Sequence, residues 1–322
     1  MRPASSDRPE RSLLSVPASS EKFFQKAADS AADTVMLDLE DAVAPEQKDA
    51  ARLRAVAAVN GVAWGAKTVL VRVNGLDTPW GYRDLIAVAE ACPRLDGVLV
   101  PKVNAPRDVH FVETLLAQVE LAAALAAAPR SRPLHIEAQT ESALGLTQVE
   151  ATAASSPRLQ ALHFGPGDYG ASLGVRPPRI GGPDPDYAVL TDADAAGRRA
   201  IHWGDATHYP LARMAAAAHA FGLRPIDGPY VDFRDPDGFR AAARRAKALG
   251  CEGKWCIHPS QIELANEVFS PSAEEVAWAE GVLAQMARAH AGGAGAVQVS
   301  GQMIDMAHIR QAERILAKRP VR

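Results

Sequence analysis

Eight short runs of apolar and β-branched residues punctuate the chain, at 13–17, 34–40, 68–74, 97–103, 134–140, 159–164, 223–228 and 253–258. Runs of this length and composition predict β-strands. Several are continuous rather than alternating, as in Val69-Leu70-Val71-Arg72-Val73. That suits parallel strands covered on both faces. Between them lie alanine-rich helical patterns at 20–31, 46–59, 81–91, 106–128, 143–154, 208–221 and 235–249. Asp235-Pro236 reads as an N-cap followed by proline at the first helical position, and Gly250 stands just past the end of that helix. Eight β/α alternations predict a (β/α)₈ TIM barrel rather than an open doubly wound sheet. The barrel is assigned to residues 1–260, and residues 261–322 form a C-terminal helical extension. Its helices are expected at about 272–290 and onward to about 318, joined by Gly292-Gly293-Ala294-Gly295. Residues 171–205 show little periodicity, and a connection of that length is expected to be functional.

Composition narrows the function classes. With 48% hydrophobic and 23% charged residues, the chain has the makings of an ordered globular protein. Its 35 basic residues against 38 acidic ones leave no broad basic face for nucleic acid. The first ten residues carry no apolar core and so do not read as a secretory signal. The best apolar run, 121–129, falls far short of the ~20 residues needed to span a bilayer. Cys92, Cys251 and Cys256 are too few for a disulfide framework. The expectation is a soluble cytoplasmic protein.

In a barrel of this kind chemistry gathers where strands end, at the C-terminal face. The polar residues at those positions are Asp38, Glu40 and Asp41, then Arg72 and Asn74, Lys102, Glu137 and Glu141, Asp168, Asp227 and His258. Carboxylates dominate, and buried carboxylates without a counter-charge repel or take up protons. A divalent cation is the natural remedy. An oxygen-rich set without a Cys or His cluster suits Mg²⁺ better than Zn²⁺. Other signals carry less. Gly165-Pro166-Gly167-Asp168-Tyr169-Gly170 fits GxGxxG but sits at the sixth strand, not the first. His202, Asp205 and His208 could pose as a metal cluster but lie in the long loop and read as part of a surface loop. Trp255 is placed to line the site.

These residues carry a family resemblance. Arg11-Ser12-Leu13-Leu14-Ser15-Val16-Pro17, Leu37-Asp38-Leu39-Glu40-Asp41-Ala42-Val43-Ala44-Pro45, Val71-Arg72-Val73-Asn74-Gly75 and Pro101-Lys102-Val103 are similar to motifs of the citrate lyase β-subunit/malyl-CoA lyase group, the HpcH/HpaI aldolase family. The likeness continues through Glu141-Ser142-Ala143-Leu144-Gly145, Gly165-Pro166-Gly167-Asp168, Arg224-Pro225-Ile226-Asp227-Gly228, Gly253-Lys254-Trp255-Cys256-Ile257-His258 and Gly301-Gln302-Met303-Ile304-Asp305. The resemblance implies a Mg²⁺-dependent carbon–carbon lyase, with Mn²⁺ as an alternative occupant. Such an enzyme splits (3S)-malyl-CoA or β-methylmalyl-CoA into glyoxylate and acetyl-CoA or propionyl-CoA through an enolate. Alternatives within the group are a malyl-CoA thioesterase or malate-synthase-like activity, a citramalyl-CoA lyase, and a complex-bound citrate lyase β-type subunit.

Carried over residue by residue, the resemblance makes Glu141 and Asp168 the metal pair, Arg72 the arginine beside the substrate and Asp305 the catalytic aspartate. Ser15, Lys26, Gly167, Ile257 and His258 join Arg72 and Asp168 in binding substrate and CoA. Ser20 departs from the basic residue expected in the group, and Lys22 is near enough to compensate. The resemblance also implies a homotrimer or dimer of trimers, with the extension of one subunit capping the active site of its neighbour.

Overall fold

A computed structural model describes residues 8–126, 130–291, 297–299 and 302–319. The chain divides into two compact units, Met1–Asn266 and Glu267–Arg322.

In the first unit the strands are β1 (Ser12–Pro17), β2 (Thr34–Asp38), β3 (Thr68–Arg72), β4 (Gly97–Val100), β5 (His135–Thr140) and β6 (Leu159–Phe164). A short antiparallel ribbon follows, β7 (Ala188–Leu190) with β8 (Ile201–Trp203), and then β9 (Arg224–Asp227) and β10 (Gly253–Cys256). β1 to β6, β9 and β10 close into a barrel in the order β1-β10-β9-β6-β5-β4-β3-β2, every pair parallel. Each barrel strand falls on one of the eight predicted runs. The helix Pro236–Ala248 begins as expected: Asp235 accepts the Gly238 N–H, and Gly250 closes the end with φ +100°.

The structure departs from the expectation in three places. The pattern at 143–154 is two short helices, Ala143–Thr147 and Val149–Ala154, meeting at Gln148. The long connection after β6 is not structureless. It opens with a helix, Pro166–Ser172, and carries the β7/β8 ribbon. Strands of three residues are too short to register as a period. A further helix, Ile262–Phe269, follows the last barrel strand.

Strand register sorts the barrel's two faces. Leu13, Met36, Leu70, Leu99, Ala161, Ile226 and Trp255 form one apolar cluster inside it. On β5 the alternate residues His135, Glu137 and Gln139 share that inner face, as the period-two geometry of a strand requires. Gly97 is where it is because a Cβ there would lie 2.5 Å from the His135 ring.

The second unit packs the helices Ala273–Ala291 and Met306–Ala317 around Ala279, Val282, Met286, Ile304 and Ala312. A two-stranded ribbon, β11 (Val297–Val299) with β12 (Gln302–Ile304), precedes the second helix. The glycine linker lies outside the described residues. Among those residues, no helix is long and apolar enough to cross a membrane.

Candidate active site

Glu141 follows the last residue of β5 and turns into the barrel mouth. Its Oε1 accepts the backbone N–H of Lys102 at 2.7 Å and its Oε2 accepts the Gln139 amide at 2.5 Å. Gly165, after β6, makes that position accessible: a Cβ there would stand 2.4 Å from both Oε2 and Cβ of Glu141. Burial, and then the negative charge of Asp168, push the Glu141 carboxyl up to about 8. Asp168 itself occupies the first turn of the helix Pro166–Ser172, its side chain partly exposed. The two acids therefore face a shared space at the rim.

Arg72 ends β3, almost wholly buried. Its Nε and Nη2 donate to Asp38 at 2.8 and 2.6 Å, and Nη1 pairs with Glu40 at 3.0 Å. Three of the five guanidinium N–H groups are thus spent on β2 and the turn after it, leaving two to donate elsewhere. Burial works against the charge, yet Asp38 and Glu40 hold Arg72 firmly cationic. Beneath it lies the Trp255 ring, 5.2 Å from the guanidinium carbon, and Trp255 Nε1 donates to His163 Nδ1 at 2.9 Å. Glu40 is raised by burial, although Arg72 and Lys102 pull the other way. Lys102 Nζ reaches Glu40 at 2.5 Å, Asp41 at 3.4 Å and Asp168 at 3.8 Å. Asn74 is held by its backbone and amide nitrogens to the buried Asp84 carboxylate.

The remaining expected residues divide. Register between β1 and β10 pairs Leu14 with Cys256, so Ser15 and Ile257–His258 continue side by side at one rim. His258 caps a single turn through Ser260 and stacks on Phe233 at 4.6 Å. Lys26 is exposed in the short helix Phe24–Ala28. Gly167 has only the Ile180 side chain near its missing Cβ, at 3.4 Å. Asp305 belongs to the second unit, where it N-caps Met306–Ala317. It takes the Ala307 N–H at 2.9 Å and lies 2.8 Å from His308 Nδ1. The His308 bond, then the backbone one, hold it below the usual carboxylate range.

Two members of the predicted ring are not at the mouth. Asp227 is taken by the fully buried Lys254, 2.5 Å away, whose Nζ also donates to the Gly228 carbonyl. Glu137 lies inside the barrel, bound to His135 Nε2 at 3.0 Å and His163 Nε2 at 2.7 Å, with Arg224 at 3.6 Å. With Glu10 it belongs to the one tight carboxylate–histidine group among the described residues: ligand atoms of Glu10, Glu137 and His163 all lie within 4.8 Å. Glu137 and His163 are already engaged, since both His163 nitrogens are bonded and Glu137 takes both histidines. The Glu10 oxygens are buried without a hydrogen bond among the described residues, 3.0 Å from Arg224. The group reads as an internal polar network centred on Glu137. Burial pushes Glu10 up to about 8, whereas the two histidines hold Glu137 low against its own burial. Sequence reasoning missed this network, although polar residues at 135, 137, 139 and 141 were its signal.

A closed parallel barrel with an acidic, arginine-bearing mouth defines a class of enzymes, and comparison with known proteins says which. The HpcH/HpaI aldolase/citrate lyase family matches residues 11–259. The chain is 45% identical over 317 residues to an L-malyl-CoA/beta-methylmalyl-CoA lyase of Cereibacter sphaeroides, covering 98% of this chain and 96% of that protein. It is 36% identical to a malyl-CoA/beta-methylmalyl-CoA/citramalyl-CoA lyase of Chloroflexus aurantiacus, with 96% and 87% covered. Among solved structures it resembles the protein CitE from Mycobacterium tuberculosis in complex with magnesium, acetoacetate and coenzyme A. The TM-score there is 0.70 and the identity 30%, over 97% of this chain and 98% of that one. The chain belongs to the HpcH/HpaI aldolase/citrate lyase family.

Proposed function

We propose that the protein is a Mg²⁺-dependent carbon–carbon lyase that reversibly cleaves (3S)-malyl-CoA or β-methylmalyl-CoA to glyoxylate and acetyl-CoA or propionyl-CoA. The observation that carries this reading is the meeting of Glu141 and Asp168 beside Arg72, in a chain 45% identical to a lyase of that name. The donor set fits Mg²⁺, with Mn²⁺ as a substitute. It is all oxygen, and Glu141 is oriented by the Lys102 N–H and the Gln139 amide, as supporting contacts orient metal ligands. Glu141 and Asp168 would hold the ion, which when bound supplies Lewis-acid polarisation of an α-keto acid carbonyl.

The side chains supply the rest. In cleavage, the 3-hydroxyl passes its proton to the ionised Asp305 carboxylate, the C2–C3 electrons pass into the thioester, and the resulting enolate takes that proton at carbon. The two uncommitted N–H groups of Arg72 donate to the oxygen that becomes negative. Because Asp38 and Glu40 fix the guanidinium in advance, little reorganisation is needed as charge develops. Asp305 gives the proton to carbon in cleavage and removes it in condensation. Ser15, Lys26, Gly167, Ile257 and His258 bind the CoA thioester. The working form is a cytoplasmic homotrimer or dimer of trimers, in which the extension of one subunit caps the active site of its neighbour.

Incubating the protein with acetyl-CoA, glyoxylate and Mg²⁺ tests the proposal. Malyl-CoA should accumulate, no CoA thiol should be released, and excess EDTA should stop the reaction. No product from either acetyl-CoA or propionyl-CoA, or undiminished turnover in EDTA, overturns it.

A further inference from the structure

Lys102 follows β4 with φ +53°, the sole positive-φ residue other than glycine among the described residues. A side chain disfavours that conformation, and such outliers persist where their surroundings hold them in place. Two contacts do so here. The backbone N–H of Lys102 is aimed at Glu141 Oε1, 2.7 Å away. The side chain lies over the ring, with Nζ 2.5 Å from Glu40, 3.4 Å from Asp41 and 3.8 Å from Asp168. One residue thus orients one member of the acidic pair through its backbone and neutralises the other through its ammonium. Glu40 meanwhile also holds Arg72, at 3.0 Å. Around the mouth stand Asp38, Glu40, Asp41, Glu141 and Asp168; the cations beside them among the described residues are Arg72, Lys102 and, behind Glu40, Lys48, whose ammonium is bound to the Leu39 and Glu40 carbonyls. Arg72 is already committed to Asp38 and Glu40.

We propose that Lys102 is the resident counter-cation of this ring: its ammonium holds Asp168 and Glu40 in the metal-free protein and releases Asp168 when a divalent cation arrives. This rests on the reading of Glu141 and Asp168 as the metal pair. Lys102 is then a positioning residue with two effects. It lowers the site's affinity for the ion, because a like charge stands a few ångströms from it. It also keeps Glu40 on Arg72 and away from the metal, so that the ion meets two carboxylates and not three. A side chain with 35% exposure, on a flexible four-carbon stem, can make that exchange.

The test is direct titration with Mn²⁺, followed by the electron paramagnetic resonance signal of the free ion. Wild type, Lys102→Met, Lys102→Arg and Glu141→Gln are compared at one pH and ionic strength. Lys102→Met should bind Mn²⁺ on the order of three- to tenfold more tightly than wild type. Its metal-free form should melt lower, and its gain in Tm on adding Mn²⁺ should be larger. Lys102→Arg should stay within about twofold of wild type, the charge being retained. If the Met variant folds poorly, Lys102→Gly, which accepts the left-handed backbone, carries the same expectation. Equal or weaker binding by the uncharged variants, with wild type binding stoichiometrically and Glu141→Gln not, overturns the role of Lys102 and leaves the metal pair standing. Failure of wild type itself to bind Mn²⁺ overturns the metal pair.

Discussion

Gly165→Ala adds one methyl group and asks whether the position of Glu141 governs turnover. The backbone at Gly165, φ −105° and ψ 88°, lies on the negative-φ side open to alanine, so the substitution acts through space. The new Cβ would meet Glu141 Oε2 and Cβ at 2.4 Å and Gln139 Nε2 at 2.8 Å. An ordinary contact begins near 3.4 Å, so the Glu141 side chain must retreat by about 1 Å. Cβ is not a flexible tip, and the movement must therefore include the end of β5. A misplacement of about 1 Å in a positioned group costs on the order of 10²-fold in rate. Steady-state kinetics of malyl-CoA cleavage should show kcat/KM down by about that factor. Mn²⁺ affinity should fall in parallel, while the melting temperature moves by only a few degrees. Near-wild-type kcat/KM and metal affinity in a folded Gly165→Ala protein would refute the claim that Glu141 has to sit where Gly165 lets it.

Arg72→Lys keeps the charge but cannot bridge Asp38 and Glu40 while donating to substrate, and kcat in the same assay should fall by about 10²–10³-fold. Asp305→Asn should leave Mn²⁺ and CoA binding close to wild type in titration calorimetry, while turnover drops at least about a hundredfold; unchanged turnover places the base elsewhere. Glu10→Gln tests the buried network. Because the folded protein holds Glu10 protonated up to about pH 8, stability from this group is full below its unfolded value of 4.5 and is lost as pH rises toward 8. Wild-type Tm should therefore decline by several degrees relative to Glu10→Gln between pH 5 and 8, measured by thermal circular dichroism; parallel curves refute the assignment.

The barrel was legible in the sequence because strands buried on both faces leave continuous apolar runs, and all eight of those runs are the barrel strands. The mouth was legible for the same reason. Asp38, Glu40, Arg72, Lys102, Glu141 and Asp168 stand at strand ends or just beyond, and a parallel barrel brings those ends together. What position along a strand does not convey is who pairs with whom. Asp227 occupies a strand end like Asp38, yet Lys254 on the adjacent strand neutralises it. Glu137 and Glu141 both belong to the β5 segment and both are acidic. Only the four-residue step between them puts one inside the barrel and the other at its mouth. The β7/β8 ribbon escaped because its apolar residues, including Val189 and Ile201, stay exposed and leave no burial pattern.

The seam of the cylinder joins the first strand to the last. β1 pairs with β10, Lys254 donates its N–H to the Arg11 carbonyl, and a side chain at Gly253 would collide with the Glu10 backbone. During synthesis, then, β1 leaves the ribosome with a bare edge and keeps it until residues 253–256 emerge, and an unpaired edge invites association with other chains. The segment that follows β10 keeps the chain tethered while that edge is sealed, so the nascent protein has an opportunity to close before release.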